Sequence, residues 1–312
     1  MPLKGFAGCC IMNGADDIIV SAENKGVRMF TVPKHQTYEL QTDCKGSWNI
    51  SSIETAPDFS ATAYYFATSL SRALRIPVGI ICSAYGGSTV EGWISRELLE
   101  NYPDISLNPD SIERLHPMLR PMLMYNAMLK PLQNYTIKGF IWYQGEANVS
   151  QEALYPTLQA AMVEDWRIRW RQGYLPFLYV QLANFQPRPD APVRYDAWAA
   201  FRDAQTGALS GIPHSGMACT IDIGDAEDIH PRNKQDVAHR LYRIARARVY
   251  APESGTVCSG PVFDGLSVEG NRIRIRFRNA SGLCGIGVSP SLEGFAVEDR
   301  GGRLHRAGAR IE

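Results

Sequence analysis

Long apolar runs are missing from this chain. The longest, around Ile76 to Ile81, falls far short of the ~20 residues that a membrane-spanning helix needs, so insertion into a membrane is not expected. An excess of charge is missing too. Lys plus Arg and Asp plus Glu both number 32, for a formal net charge of zero. That balance offers no electrostatic footprint for nucleic acid or for an anionic membrane surface. A neutral carbohydrate or small-molecule substrate fits it, as do many other partners. The seven cysteines, at 9, 10, 44, 82, 219, 258 and 284, contain no C-x-x-C pair. Metal spacing is therefore lacking, and an odd number argues against a complete disulfide framework. The opening Met1-Pro2-Leu3-Lys4-Gly5-Phe6 has no signal-peptide pattern, which leaves the compartment unassigned. Internal repeats and low-complexity stretches are absent as well.

What is present is core-forming material. Apolar residues make up 45% of 312, enough for one large domain and a smaller one. Residues 60–75 read as a helix, with Ala63, Phe66, Ala67, Leu70 and Leu74 at helical spacing and Pro77 beyond its end. Val78 to Cys82 follows as a short strand. Met122 to Leu132 then reads as a helix and Ile137 to Tyr143 as a buried strand. Leu158, Met162, Trp166 and Trp170 fall four apart, the inward stripe of a long helix, with the strand Pro176 to Leu182 after it. A helix near Ala197 to Leu209, a strand from Met217 to Ile221 and a helix from Asn233 to Val249 complete the series. Strands alternating with helices indicate an α/β fold, a parallel sheet covered on both faces. The four strands are expected in one sheet, with sites at their carboxyl ends. After Pro252 the pattern changes to short alternating strands, Val262–Phe263, Leu266–Val268 and Ile273–Phe277, as in an antiparallel module. No closing strand is evident before Ile311-Glu312.

Three segments at predicted strand ends carry chemistry. Gly224-Asp225-Ala226-Glu227-Asp228-Ile229-His230-Pro231 places acids two and three residues before a histidine, where one can fix the tautomer and stabilise an imidazolium. Ser83-Ala84-Tyr85-Gly86-Gly87-Ser88-Thr89 offers paired glycines whose N–H groups can face an oxyanion. Trp142-Tyr143-Gln144-Gly145-Glu146-Ala147-Asn148 offers carboxamides and a carboxylate. Each alone reads as an ordinary turn or a helix cap; together they share one sheet edge. His35, His116, His214, His239 and His305 show no metal spacing, and the Trp166–Trp170 stripe reads as core.

In order along the chain, S-x-x-G-G-[ST]-x-x-E-x-W, I-W-Y-Q-G-E-x-N and D-I-G-D-x-x-D-I-H-P-x-N-K-Q resemble successive blocks of the sialate O-acetylesterases, serine esterases of the SGNH hydrolase superfamily. Connecting segments such as Asp165-Trp166-Arg167 and Pro176-Phe177 match too. The resemblance implies an SGNH-hydrolase (flavodoxin-like) core over residues 1–252 and a partial β-sandwich-like module over 253–312. It implies removal of O-acetyl groups from sialic acid or a related sugar through an acyl-serine intermediate, with no metal or organic cofactor. His230 would be the general base and acid, oriented by Asp228 or by Glu227. Gly86 or Gly87 would donate to the oxyanion, and Gln144, with Glu146 and Asn148 beside it, would hold the acyl group. The family places its nucleophile in a G-Q-S-N-M block shortly before M-P-L-x-G-F, the motif with which this sequence opens. The chain is therefore expected to be inert alone. Ser83 and Ser88 lie outside that block. The alternatives are an acetylxylan-type esterase and a noncatalytic carbohydrate-binding protein that kept the pocket. Oligomeric state is not legible in the sequence.

Overall fold

The computed structural model describes residues 1–5, 12–282 and 292–312. Cys9, Cys10 and Cys284 fall outside them, and the other four cysteines are free thiols.

The core is an α/β arrangement in which two three-stranded sheets share the same helical layers. In the first, β1 (Asn24–Thr31) pairs antiparallel with β2 (Trp48–Ser51) and parallel with β3 (Val78–Cys82). In the second, β4 (Phe140–Trp142), β5 (Phe177–Val180) and β6 (Ser215–Ala218) are all parallel, with Ile141 opposite Leu178 and Leu178 opposite Gly216. Alternation along β5 shows the layering. Phe177 and Tyr179 enter one apolar cluster with Leu158, Met162, Trp166 and Trp170, while Leu178 and Val180 enter another with Tyr64, Leu70, Val237 and Leu241. Successive residues of a strand face opposite sides, so β5 is covered by helices on both. β1 and β3 feed the same two clusters through Met29 and Ile80 on one side and Phe30 and Ile81 on the other.

The local chemistry explains the helices. Ser60 caps Ala61–Leu74 by accepting the Ala63 N–H at 3.4 Å, and the left-handed Arg75 ends it by returning its N–H to the Ser71 carbonyl. Pro77 then forbids continuation. The long helix Tyr155–Trp170 buries its stripe: Trp166 and Trp170 meet Phe140 at ring-centroid distances of 5.2 and 5.0 Å. That aromatic cluster is core, as the spacing suggests.

The structure departs from the sequence expectations in four places. The parallel strands do not form one continuous ladder, because β3 and β4 are not hydrogen-bonded to each other. The segment expected as a helix over 122–132 is a π-helical turn, Tyr125–Leu129, followed by the 3₁₀ turn Lys130–Leu132. Pro131 lacks an N–H and its ring crowds the preceding turn, so regular α-helix cannot run through it. The strand expected at 217–221 lies at Ser215–Ala218, two residues earlier. The β1–β2 pair was not anticipated.

Beyond the helix Lys234–Ala245, most of the C-terminal segment forms hairpins. β7 (Val262–Glu269) and β8 (Arg272–Arg278) pair antiparallel around Gly270, whose φ of +65° suits the turn. β9 (Ala296–Glu298) and β10 (Leu304–Arg306) make a second hairpin that is not paired with β7 or β8 and that the sequence left unmarked. No helix among the described residues is long and apolar enough to cross a membrane.

Candidate active site

Two of the three sequence segments are locked together by buried hydrogen bonds. Gln144, just beyond β4, is 7% exposed; its Nε2 donates to the Ser88 carbonyl at 3.0 Å and to Asn148 Oδ1 at 2.6 Å. Tyr155 donates its hydroxyl to Gln144 Oε1 at 2.9 Å. Asn148 is fully buried and joins the two loops a second time. Its Oδ1 accepts the Val90 N–H at 2.9 Å, and its Nδ2 donates to Glu91 Oε2 at 3.0 Å and to Gln151 Oε1 at 2.5 Å. Both N–H bonds of each amide are thus used within the protein. In this arrangement Gln144 and Asn148 hold loops together, and an incoming acyl oxygen would have to displace one of these partners.

The lock leaves the paired glycines at the surface of the loop it holds. Gly86 and Gly87 are exposed, and Gly87 has φ +74°. A Cβ added there would lie 2.6 Å from Met118 Sδ. Ser88 is buried beneath, its hydroxyl accepting the Trp93 indole N–H at 2.9 Å. The Ser83 hydroxyl donates to the Met128 carbonyl at 3.1 Å. Ser88 therefore serves its own loop, and Ser83 ties that loop to the turn Tyr125–Leu129.

The third segment approaches through Glu146. This half-buried carboxyl is pushed above the ordinary carboxylate range by burial, while backbone N–H groups and the charges of Lys234 and His230 pull the other way. Lys234 is 5% exposed; its Nζ donates to the Tyr143 hydroxyl at 3.3 Å and lies 4.6 Å from the centre of that ring. His230 is about half exposed at the side chain, and its Nδ1 stands 3.2 Å from Asp228 Oδ1, which also accepts the His230 backbone N–H at 2.9 Å. Of the two acids considered, the one against the ring is Asp228. Glu227 meets Asp225 instead, donating its backbone N–H to that carboxylate.

Met1 also belongs to this neighbourhood. Its carbonyl accepts the Ala61 N–H at 2.9 Å. Its amino group is held below the ordinary value, chiefly by burial and then by Lys234, with Cys82, Lys34 and Glu146 in electrostatic reach. Among the described residues no group of three His, Cys, Asp or Glu side chains is placed to hold a metal ion.

Sequence reasoning passed over several participants. Glu91 and Lys234 sit inside the quoted motif blocks but were given no part. Gln205, fully buried, donates to the Gln144 carbonyl at 3.2 Å and accepts the Leu182 N–H at 2.8 Å.

The chain is similar to known proteins over most of its length. Residues 7–241 match the family model described as carbohydrate esterase, sialic acid-specific acetylesterase. Curated sialate O-acetylesterases from Mus musculus and Homo sapiens are 29% and 31% identical over 81% of this chain. The chain spans about half the length of these relatives, 55% and 52%. A crystal structure of a carbohydrate acetylesterase from Xanthomonas citri superposes with a TM-score of 0.84 at 32% identity, over all of this chain and 67% of that one.

Proposed function

Because the chain belongs to the sialic acid-specific acetylesterase family of carbohydrate esterases, we propose that it forms the core of an enzyme that hydrolyses O-acetyl esters on sialic acid or a related sugar. The buried bonds that fasten the Gly86–Gly87 loop to the Gln144–Asn148 loop, with His230 in electrostatic reach of Glu146, carry this reading. Oxyanion donors and a base must converge on one carbonyl, and these contacts support reading the three segments as one site at the carboxyl ends of the parallel strands.

In the proposed mechanism a serine hydroxyl gives its proton to His230 as its oxygen attacks the acetyl carbonyl. The tetrahedral oxyanion is met by backbone N–H groups of Gly86 and Gly87. Asp228 holds the ring from the Nδ1 side and stabilises the imidazolium. His230 then returns the proton to the departing sugar oxygen. Water, deprotonated by the same ring, attacks the acyl-serine; the acyl–serine bond breaks, acetate leaves and the ring returns its proton to the serine oxygen. Gln144 and Asn148 fix the loop that carries the glycines.

The nucleophile is read as coming from the family's G-Q-S-N-M block, which has no counterpart in these 312 residues. One feature supports that reading: β3 and β4 are unpaired with each other although their helical layers are shared, as they would be with a strand between them. On this reading residues 1–252 are an incomplete catalytic core, and the 312-residue protein is inert as an esterase. The test compares it with a version extended upstream through the G-Q-S-N-M block, using an activated acetyl ester and the Ser→Ala variant of the longer protein. Activity confined to the longer protein with its serine is expected. Equal, serine-reagent-sensitive rates from both would overturn the assignment of the nucleophile.

A further inference from the structure

The loop that leaves β5 touches three other parts of the molecule. At its root, the Trp198 indole N–H donates to the Ala183 carbonyl at 2.7 Å, and the Phe185 ring packs on Trp198 with centroids 5.2 Å apart. The next residues grip the histidine segment. Asn184 Oδ1 accepts the Gly224 N–H at 2.7 Å, and the Gln186 N–H donates to the Ala226 carbonyl at 3.0 Å. The approach is so close that a Cβ on Gly224 would stand 2.1 Å from the Asn184 carbonyl oxygen. Gln186 holds a φ of +71°, a conformation that costs a non-glycine residue about 1 kcal/mol and persists where surrounding contacts enforce it. Further on, Tyr195 donates to Glu152 at 2.7 Å, beyond the Gln144–Asn148 loop. On its outer side the loop is tied to the second C-terminal hairpin. Arg194 pairs with Glu298 through two bonds of 2.9 and 3.0 Å, Arg188 meets Glu293 at 2.5 Å, and Arg306 donates to the Asp190 carbonyl.

We propose that residues 183–196 form a brace that positions His230, with Asn184 as the positioning residue and the β9–β10 hairpin as its outer anchor. The inference rests on the reading of His230 as the general base. A base must be held within about half an ångström of its working place. Residues 221–233 form no helix or strand, so their own backbone ladder cannot supply that precision. The two bonds from Asn184 and Gln186 do so at the segment's entrance. The C-terminal module thereby acquires a part in the site without touching substrate.

The test measures amide exchange on the 312-residue chain. Asn184→Ala should speed exchange over residues 224–230 roughly fivefold, the factor that one lost hydrogen bond of average strength implies. The helix Tyr155–Trp170 should exchange as before. Asn184→Asp keeps an acceptor oxygen at the same point and should restore protection. Gly224→Ala, which drives the two segments apart, should reproduce the Asn184→Ala pattern. Glu298→Ala should speed exchange over 186–196 and, to a smaller degree, over 224–230. In the serine-bearing protein Asn184→Ala should lower kcat with KM unchanged, and Asn184→Asp should recover it. Unaltered exchange at 224–230 in Asn184→Ala, or equal acceleration throughout the molecule, overturns the brace. If hydrolysis survives His230→Ala while the exchange pattern appears as expected, the brace stands and the assignment of the base falls.

Discussion

Asn148 is the residue whose loss should cost most, and the structure sets the size of that cost. Its side chain is fully buried and engages Val90, Gln144, Glu91 and Gln151. Asn148→Ala leaves the Val90 N–H and a Glu91 carboxylate oxygen without these partners. Each buried orphan costs ~1–3 kcal/mol, the charged one more. Gln144 keeps its bond to the Ser88 carbonyl but loses the acceptor of its second N–H, a further cost of the same kind. A water admitted to the vacated space would return part of the loss, since the site is polar. The expected destabilisation is about 3 kcal/mol, a substantial part of a typical total of ~5–15 kcal/mol. For a protein of this size that lowers Tm by about 5 °C. Urea unfolding followed by tryptophan fluorescence should show a lower midpoint with an unchanged slope. Asn134→Ala, at an exposed loop position, is the control and should change stability by less than ~0.5 kcal/mol. A cost below ~1 kcal/mol for Asn148→Ala would refute the claim that this amide joins the two loops.

Three further outcomes are expected. Burial raises the Glu146 carboxyl above its ordinary 4.5, so the folded state holds that proton more tightly than the unfolded chain. Its contribution to stability is therefore fullest below 4.5 and is lost as pH rises through the folded value; urea midpoints of Glu146→Gln should gain on the wild type over that rise, and a constant difference across pH would contradict it. Gly87→Ala must hold a left-handed φ and press Met118, whose flexible end can move, so it should cost only ~1–2 kcal/mol in thermal unfolding yet disable an oxyanion donor in the serine-bearing protein. In that protein His230→Ala should abolish turnover, whereas Asp228→Asn, which keeps an oxygen near Nδ1, should reduce it by less; equal and total loss in both would make the Asp228 charge indispensable.

The parts of the site that the sequence revealed were those encoded in contiguous residues. Asp228 and His230 are two apart, so their contact follows from one turn of backbone, and Gly86–Gly87 announces its conformational freedom directly. Contacts across large separations left no such mark. Nothing in the chain pairs Gln144 with Ser88, 56 residues away, or Asn184 with Gly224, 40 residues away. The amides of Gln144 and Asn148 looked available to substrate because a sequence displays donors without showing what already occupies them.

The fold divides in the same way. Periodicity and proline placement alone determined the helices Ala61–Leu74 and Tyr155–Trp170, because a buried stripe and its stop signals are local properties of the chain. The alternation of Val27 and Met29 with Arg28 in β1 was equally local and readable, yet the strand was passed over. Which strands pair, and which stand apart, was decided only in three dimensions. A strand's hydrogen-bonding edges carry no side-chain signature, and apolar residues such as Ile81 and Phe140 satisfy the shared helical layers whether or not β3 and β4 join. Side chains thus fixed the layers, and the backbone edges, invisible in the sequence, determined where the sheet is interrupted.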